Sequence, residues 1–452
     1  MTFASSRDAA SGLLAKTDHI MLPILRSKHV PAALPVCAAR RVRVGVKAGV
    51  LACGMACAAW AAGAEQSGVP TWKLSGYGTL GVVHSSERNA DFTSSVLRAD
   101  GAGHTRAWSP DVDSRLGVQL DVAQGDWSGV LQVVSEQGLD GSYRPQLEWA
   151  NVKYQPTPDL ALRLGRIALP VFLGADSRKV GYTIPWVRTP VEVYGALPIS
   201  SSDGVDATWR WNIGEVRQAT QVFVGKANKD LQNGLRIKAE DITGLSHTIE
   251  RGALSARLSA ASARLDTGIG AELFGALRAF GPAGNALADR YAIVDKRVTM
   301  VSAGLNYDPG NWFVSAEWGR TRTDSLLGDG SEAYVGAGLR VGAFTPYAGY
   351  AQIRADVPTS DPGLPLAGLP PAYAAVGGQL NAGLNVLLSS IPVQSTWSAG
   401  LRWDAAPNIA VKFQLERVRP REGTRGTLIN PQPGFRSDRA LNVASMALDF
   451  VF

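Results

Sequence analysis

The chain has 452 residues, of which 19% are charged, a formal net charge of +6 and only three cysteines. Residues 1–64 hold eight basic and two acidic side chains, so the remainder is neutral and offers no basic surface for nucleic acid. Cys37, Cys53 and Cys57 also precede residue 65, which excludes a disulfide framework and a thiolate metal site from the rest of the chain.

The first element in chain order is a secretory leader. Arg40, Arg41, Arg43 and Lys47 precede a short apolar run over 48–60, and AGA at 62–64 supplies a small-x-small cleavage site. Cleavage is expected after Ala64, dividing the chain into a leader over 1–64, with its signal core at about 40–64, and a single domain over 65–452. Residues 1–39 suit a leader poorly and suggest a translation start further downstream. Cys53 is a weaker candidate for lipid attachment, because Leu51 is bulky and the apolar stretch before it is short.

No run of eighteen apolar residues follows residue 65, which excludes helical membrane spans from the body. From residue 71 onward, segments of about ten residues alternate apolar and polar side chains, the length and period of membrane β-strands. Short turns are expected at 124–126, 156–159, 214–215, 251–252, 308–311, 342–343 and 406–408. Long loops are expected at 86–113, 137–145, 171–203, 228–236, 266–296, 324–331, 356–394 and 421–438. Seven turns and eight loops join sixteen strands. The fold class is therefore all-β, a transmembrane antiparallel β-barrel of 16 strands with both termini on the short-turn side.

Individual strands carry the pattern. Val205, Ala207, Trp209, Trp211 and Ile213 share one face, with Asp206, Thr208, Arg210 and Asn212 on the other. Trp397, Ala399, Leu401 and Trp403 oppose Ser398, Gly400, Arg402 and Asp404, while Ile409, Val411, Phe413 and Leu415 oppose Ala410, Lys412, Gln414 and Glu416. Trp127, Tyr154, Tyr307, Trp312 and Trp403 sit beside short turns, as an interfacial girdle requires. Alternation is weak over 128–136 and 236–250. Residues 270–280 have helical spacing, with Leu273, Leu277 and Phe280 on one side, and 362–371 is a Pro-, Gly- and Leu-rich stretch inside the longest loop. Both are expected outside the membrane or folded into the barrel mouth.

In the last strand, Ala444, Met446, Leu448, Phe450 and Phe452 share one side and Asp449 lies opposite. An apolar edge ending on an aromatic would be sticky in water, but it fits a strand that closes a barrel in lipid. This ending resembles the C-terminal assembly signal of Gram-negative outer-membrane barrels. KLSGYGTLG at 73–81, LRLGR at 162–166 before a long loop, EWANVKY at 148–154 and IPWVRTPVEVY at 184–194 likewise resemble a proteobacterial branch of the Gram-negative porins.

The resemblance implies a usually trimeric sixteen-stranded barrel in the bacterial outer membrane, with the third external loop folded inward as a constriction. By position that loop is 171–203, carrying Asp176, Arg178, Lys179, Arg188 and Glu192. Arg163, Arg210, Arg257 and Arg402 fall at lumen-side positions of their strands. They either face loop carboxylates across the pore, setting a transverse field, or pair with Asp206, Asp404 and their neighbours on the wall. The loop lacks a dense acidic cluster, which leaves cation preference open. The expected partners are small hydrophilic solutes, outer-membrane lipid and lipopolysaccharide, the barrel-assembly machinery acting on Phe450 and Phe452, and two further copies of the chain in a homotrimer.

Catalysis is not expected. His84, His104 and His247 lack metal-ligand spacing, and Ser85 and Ser246 point away from the histidines next to them on extended chain. No metal or cofactor is expected either. The expected function is a passive channel for small hydrophilic solutes or ions, since a barrel of this size leaves an aqueous lumen. A barrel acting as a surface adhesin or structural protein, its mouth plugged by loops 266–296 and 356–394, is the alternative.

Overall fold

The computed structural model describes residues 69–195, 199–231 and 234–452. The leader over 1–64 and its cleavage site lie outside the described residues. Sixteen long strands follow in order: β1 Thr71–Ser85, β2 Arg115–Gln124, β3 Trp127–Glu136, β4 Gln146–Tyr154, β5 Leu160–Ala168, β6 Ser201–Ile213, β7 Val216–Asp230 and β8 Arg236–Arg251. The second half comprises β9 Leu254–Thr267, β10 Lys296–Tyr307, β11 Trp312–Arg322, β12 Gly330–Leu339, β13 Phe344–Ala355, β14 Gln394–Ala406, β15 Ile409–Pro420 and β16 Leu441–Val451. Each pairs antiparallel with the next, and β16 returns to β1 with Tyr77 opposite Val451 and Ser85 opposite Val443. The sheet is closed, so no strand edge is left for lipid to meet.

Period-two alternation decides which side chains face outward. On β15 Leu415 is 67% exposed, whereas Lys412 on the opposite face is fully buried. Trp397, Trp209, Leu164 and Leu258 are likewise exposed apolar residues on outward rows. In water such rows would be a liability; around a closed barrel they are the lipid-facing surface. Ring pairs bridge neighbouring strands near the short turns: Trp127–Tyr154 with centroids 4.6 Å apart, Tyr307–Trp312 at 5.3 Å and Phe344–Trp403 at 6.1 Å. The expected girdle is thus a set of stacked or tilted pairs. Tight turns place Gly214 at φ 58° and Asn408 at φ 65°, the left-handed conformation that two-residue hairpins require.

The seam between β16 and β1 explains two glycines. The Phe450 and Phe452 rings lie flat over Gly78 and Gly76, and a Cβ at either glycine would collide with the ring above it. The weakly alternating segments are strands nonetheless. Bulges interrupt their pairing, at Gln132/Val133 between β3 and β4 and at Glu240/Thr243 between β8 and β9, and a bulge shifts the alternation in sequence.

Among the described residues, three α-helices sit in the long loops. α1, Ala271–Arg278, and α2, Gly281–Tyr291, join β9 to β10, and α3, Pro371–Leu388, joins β13 to β14. α1 falls where the helical spacing placed it, but Phe274 and Leu277 are its buried residues, while Leu273 and Phe280 pack at the margin. α2 and α3 were not anticipated. α3 opens on Pro371 at the first helical position, where a missing N–H costs nothing, and buries Leu384 and Leu388 against Leu277 and Leu287. This apolar cluster continues into Val171 and Phe172 of the loop between β5 and β6, so the helices cap part of the long-loop end.

Candidate functional site

The segment between β5 and β6 leaves the wall after Ala168 and returns at Ser201. Its hydrogen bonds trace where it goes. The carbonyls of Pro170, Val171 and Phe172 accept from Ser259, Ser302 and Arg257 on β9 and β10. Lys179 reaches Glu136 on β3 and Glu148 on β4, both at 2.9 Å. The carbonyls of Gly181, Ile184 and Trp186 accept from Lys412 on β15 at 2.7, 2.7 and 2.9 Å. Tyr194 then donates to Glu317 on β11. One segment meets strands on opposite sides of a closed barrel only by crossing its interior.

The anchors are polar and buried, as a loop inside an aqueous barrel needs, since apolar contact alone would not fix its register. Lys412 also pairs with Asp449 at 2.7 Å, and Thr79 donates to the other Asp449 oxygen at 2.5 Å. Arg188 grips Asp113 with both Nε and Nη2, at 2.9 and 2.7 Å, donates to Ser445 at 2.6 Å and pairs with Glu416. Trp186 packs edge-on against Phe313, Tyr334 and Tyr347.

The sequence-predicted residues divide by role. Asp176 lies 4.0 Å from Arg257, which also donates to the Phe172 carbonyl at 2.8 Å. Arg188 and Glu192 are buried anchors, Glu192 accepting from Gln394 at 2.7 Å and from Thr396. Arg163 pairs with Asp206 on the wall at 2.9 Å, and Arg402 holds Asp404 at 2.7 Å while donating to the Tyr182 and Ile184 carbonyls. Arg210 is half-buried on β6, one residue from the exposed Trp209. Of these arginines, Arg257 meets a loop carboxylate, Asp176. Arg163 and Arg402 meet wall carboxylates, and Arg402 also meets loop carbonyls. Phe450 and Phe452 stack with centroids 6.4 Å apart on the outer wall.

Open space remains on the β2–β7 side. A cavity of about 920 Å³ lies against the long-loop ends of these strands and the inner loop. Arg98, Arg115, Arg178, Lys179 and Lys229 reach it, with Glu136 and Glu148 between them. Arg98 and Lys179 both bond Glu136, at 3.0 and 2.9 Å. Burial lowers the Arg178 pKa from its ordinary value, against the opposing pull of Glu148 and Glu136. Arg115 donates to the Asp113 carbonyl and Lys229 to the Gln146 amide oxygen, both neutral acceptors. Sequence reasoning found Arg178 and Lys179 but missed the other three, which sit at strand ends or in the first long loop, where alternation gives no signal.

A closed antiparallel barrel with an apolar exterior, a polar lumen and a loop held across that lumen is the architecture of an outer-membrane channel. The model of the Gram-negative porin family matches residues 48–427, and the chain belongs to that family. The chain is similar to solved structures at low identity. Salmonella typhi OmpF in complex with daunomycin is 14% identical, with 84% of this chain and 97% of that one covered and a TM-score of 0.51. The anion-selective porin from Comamonas acidovorans is 12% identical, with 85% and 100% covered and a TM-score of 0.49. The outer membrane channel DcaP of Acinetobacter baumannii is 10% identical, with 85% and 97% covered and a TM-score of 0.47. No curated protein matches the chain. The protein is a passive channel of the bacterial outer membrane, and its barrel has the expected sixteen strands.

Proposed function

We propose that the conducting path follows the β2–β7 side of the lumen, that the inner loop forms its constriction, and that it favours small anions. One observation carries this reading: the carboxylates Glu136 and Glu148 are shared among the cations Arg98, Arg115, Arg178 and Lys179, so positive charge exceeds negative around them on this side of the lumen. In a low-dielectric cleft this excess raises the local concentration of anions and lowers that of cations. Arg188, Glu192, Arg163 and Arg402 act as fasteners for the loop and wall, and Asp176 with Arg257 holds the loop's first turn.

The reading has no catalytic step, metal or cofactor. It includes export with removal of residues 1–64, insertion by the barrel-assembly machinery acting on Phe450 and Phe452, contact with outer-membrane lipid and lipopolysaccharide, and a homotrimer. The outward rows of β16, β1, β2 and β3 carry no Lys or Arg, which suits a subunit-facing wall.

Reversal potentials across a potassium chloride gradient test the selectivity. The wild-type channel is expected to prefer chloride, and Arg115→Gln with Arg178→Gln should move the potential toward potassium. A potassium-selective wild type would overturn the charge argument.

A further inference from the structure

The inner face of a water-filled barrel is expected to be polar along every strand. From β7 to β10 it is not, at the long-loop end. Phe223 on β7 stands opposite Asp206, a lumen-side residue, and Ile242, Leu265 and Met300 continue its face across β8, β9 and β10. All four are buried. What buries them is the cap: Phe274 and Leu277 of α1, Leu287 of α2 and Leu384 and Leu388 of α3 belong to the same apolar cluster. A close-packed apolar interior of this kind holds neither water nor ions.

Both ends of the inner loop enter that cluster. Val171 and Phe172 lie in it where the loop leaves the wall, Val193 and Tyr194 where it returns. Polar ties fix the same two points. The Glu317 carboxylate on β11 accepts from the Leu173 amide at 2.6 Å and from the Tyr194 hydroxyl. The Tyr194 oxygen in turn accepts from the Gly174 amide at 3.0 Å, and Tyr334 gives Glu317 a third donor at 3.0 Å. The start and the end of the loop are therefore held at one place on the wall, beside the helices. Its middle, from Arg178 to Arg188, borders the open cavity.

We propose that the helical cap is a fixed plug and a working part of the constriction. It makes the sector from β7 to β12 non-conducting at the long-loop end. It also clamps both ends of the inner loop, so that the opening beside the loop's middle keeps its width. This rests on the reading of β2–β7 as the conducting side, and adds that an external helical element with no charge in the path sets how wide that side is.

The chain has no cysteine after Cys57, so single cysteines in the mature protein report access directly. Ala239→Cys places a thiol on the buried inner face of β8, and Asn228→Cys places one at the rim of the open cavity. A small anionic methanethiosulfonate is added to both sides of a planar bilayer holding the channel, and labelling is read by current and by intact mass. A lasting change of current is expected for Asn228→Cys, and neither label nor change for Ala239→Cys in the same time. Adding Leu384→Ala to Ala239→Cys should make the plug thiol reactive and raise the single-channel conductance. The reversal potential in a potassium chloride gradient should stay at its wild-type value, because no charge has moved. Met300→Cys supplies a second plug position should Ala239→Cys fail to fold. A plug thiol that reacts as fast as the rim thiol would overturn the proposal, as would wild-type conductance in the Leu384→Ala channel. A wild-type protein without current, but with a labelled rim and an unlabelled plug, would sink the conducting path and still support the plug.

Discussion

Lys412 is the most informative residue to remove, because it serves the wall and the loop at once. It is fully buried, pairs with Asp449 at 2.7 Å and donates to three carbonyls between Gly181 and Trp186. Lys412→Met would leave Asp449 buried with Thr79 as its remaining partner, a loss of about 3–5 kcal/mol for a broken buried pair. The Trp186 carbonyl loses its donor as well, at about 1 kcal/mol or more while it stays dry, whereas the Ile184 carbonyl keeps Arg402 and the Gly181 carbonyl keeps the Ile184 amide. The segment can escape that second cost by leaving the wall, and the nearest space is the 920 Å³ cavity that Gly181, Ile184 and Val187 already border. The expected phenotype is therefore double: lower resistance to guanidinium unfolding, and single-channel currents in planar bilayers that are noisier and smaller on average. Adding Asp449→Leu separates the two effects. An apolar pair in place of the ion pair should recover most of the barrel stability, whereas the loop still lacks its tie from Lys412 to the Trp186 carbonyl and the current stays noisy. If the double variant conducted like wild type, Lys412 would be a wall residue only and the clasp argument would be wrong.

Three further outcomes follow from the same geometry. Gly78→Val places its side chain against the Phe450 ring and should cost about 1–3 kcal/mol of barrel stability in denaturant titration, with Phe450→Ala restoring part of it. Leu384→Ala empties a fully buried site beneath α3 and should remove about 2–5 kcal/mol from the helical cap. Limited proteolysis should then cut within 356–393 while the barrel keeps its heat resistance. The cap should also loosen in acid. Burial alone would raise the Asp361 carboxyl, but the Tyr291 hydroxyl at 2.6 Å, the Gly363 amide and Arg290 outweigh it and hold the group below the ordinary carboxylate range. A depressed folded-state pKa gives stability that is complete above the unfolded-state value and is lost as pH falls through the folded one. Hydrogen exchange over 356–364 should accelerate only below the ordinary carboxylate range, and Asp361→Asn should remove that dependence.

What could be read from sequence follows from how far each signal reaches. Strand number and facing depend on period-two alternation, a local signal, and this is why Trp209, Leu415 and Lys412 fall on the faces their positions imply. It weakens where a bulge adds a residue, as at Glu240/Thr243. The inward orientation of Arg163, Arg257 and Arg402 was legible for the same reason, but their partners were not. Whether Arg402 meets a loop carboxylate or the Tyr182 and Ile184 carbonyls depends on where a loop 220 residues away in sequence comes to rest. The cations bordering the open space were harder still, because Arg115 and Lys229 stand at strand ends, where a side chain can turn to the lumen or to the rim. α3 was hidden by its own composition: a Pro- and Gly-rich approach reads as coil, and the helix gains its stability from Leu384 and Leu388 packing onto α1 and α2. The lumen thus differs from the wall in kind. The wall is specified residue by residue through its two solvents, whereas the lumen is specified by fasteners such as Lys412 and Arg188, each joining segments more than 70 residues apart. Such a site shows itself in sequence only as charged residues on faces that ought to be polar, and what those charges hold becomes visible only when the barrel is closed around them.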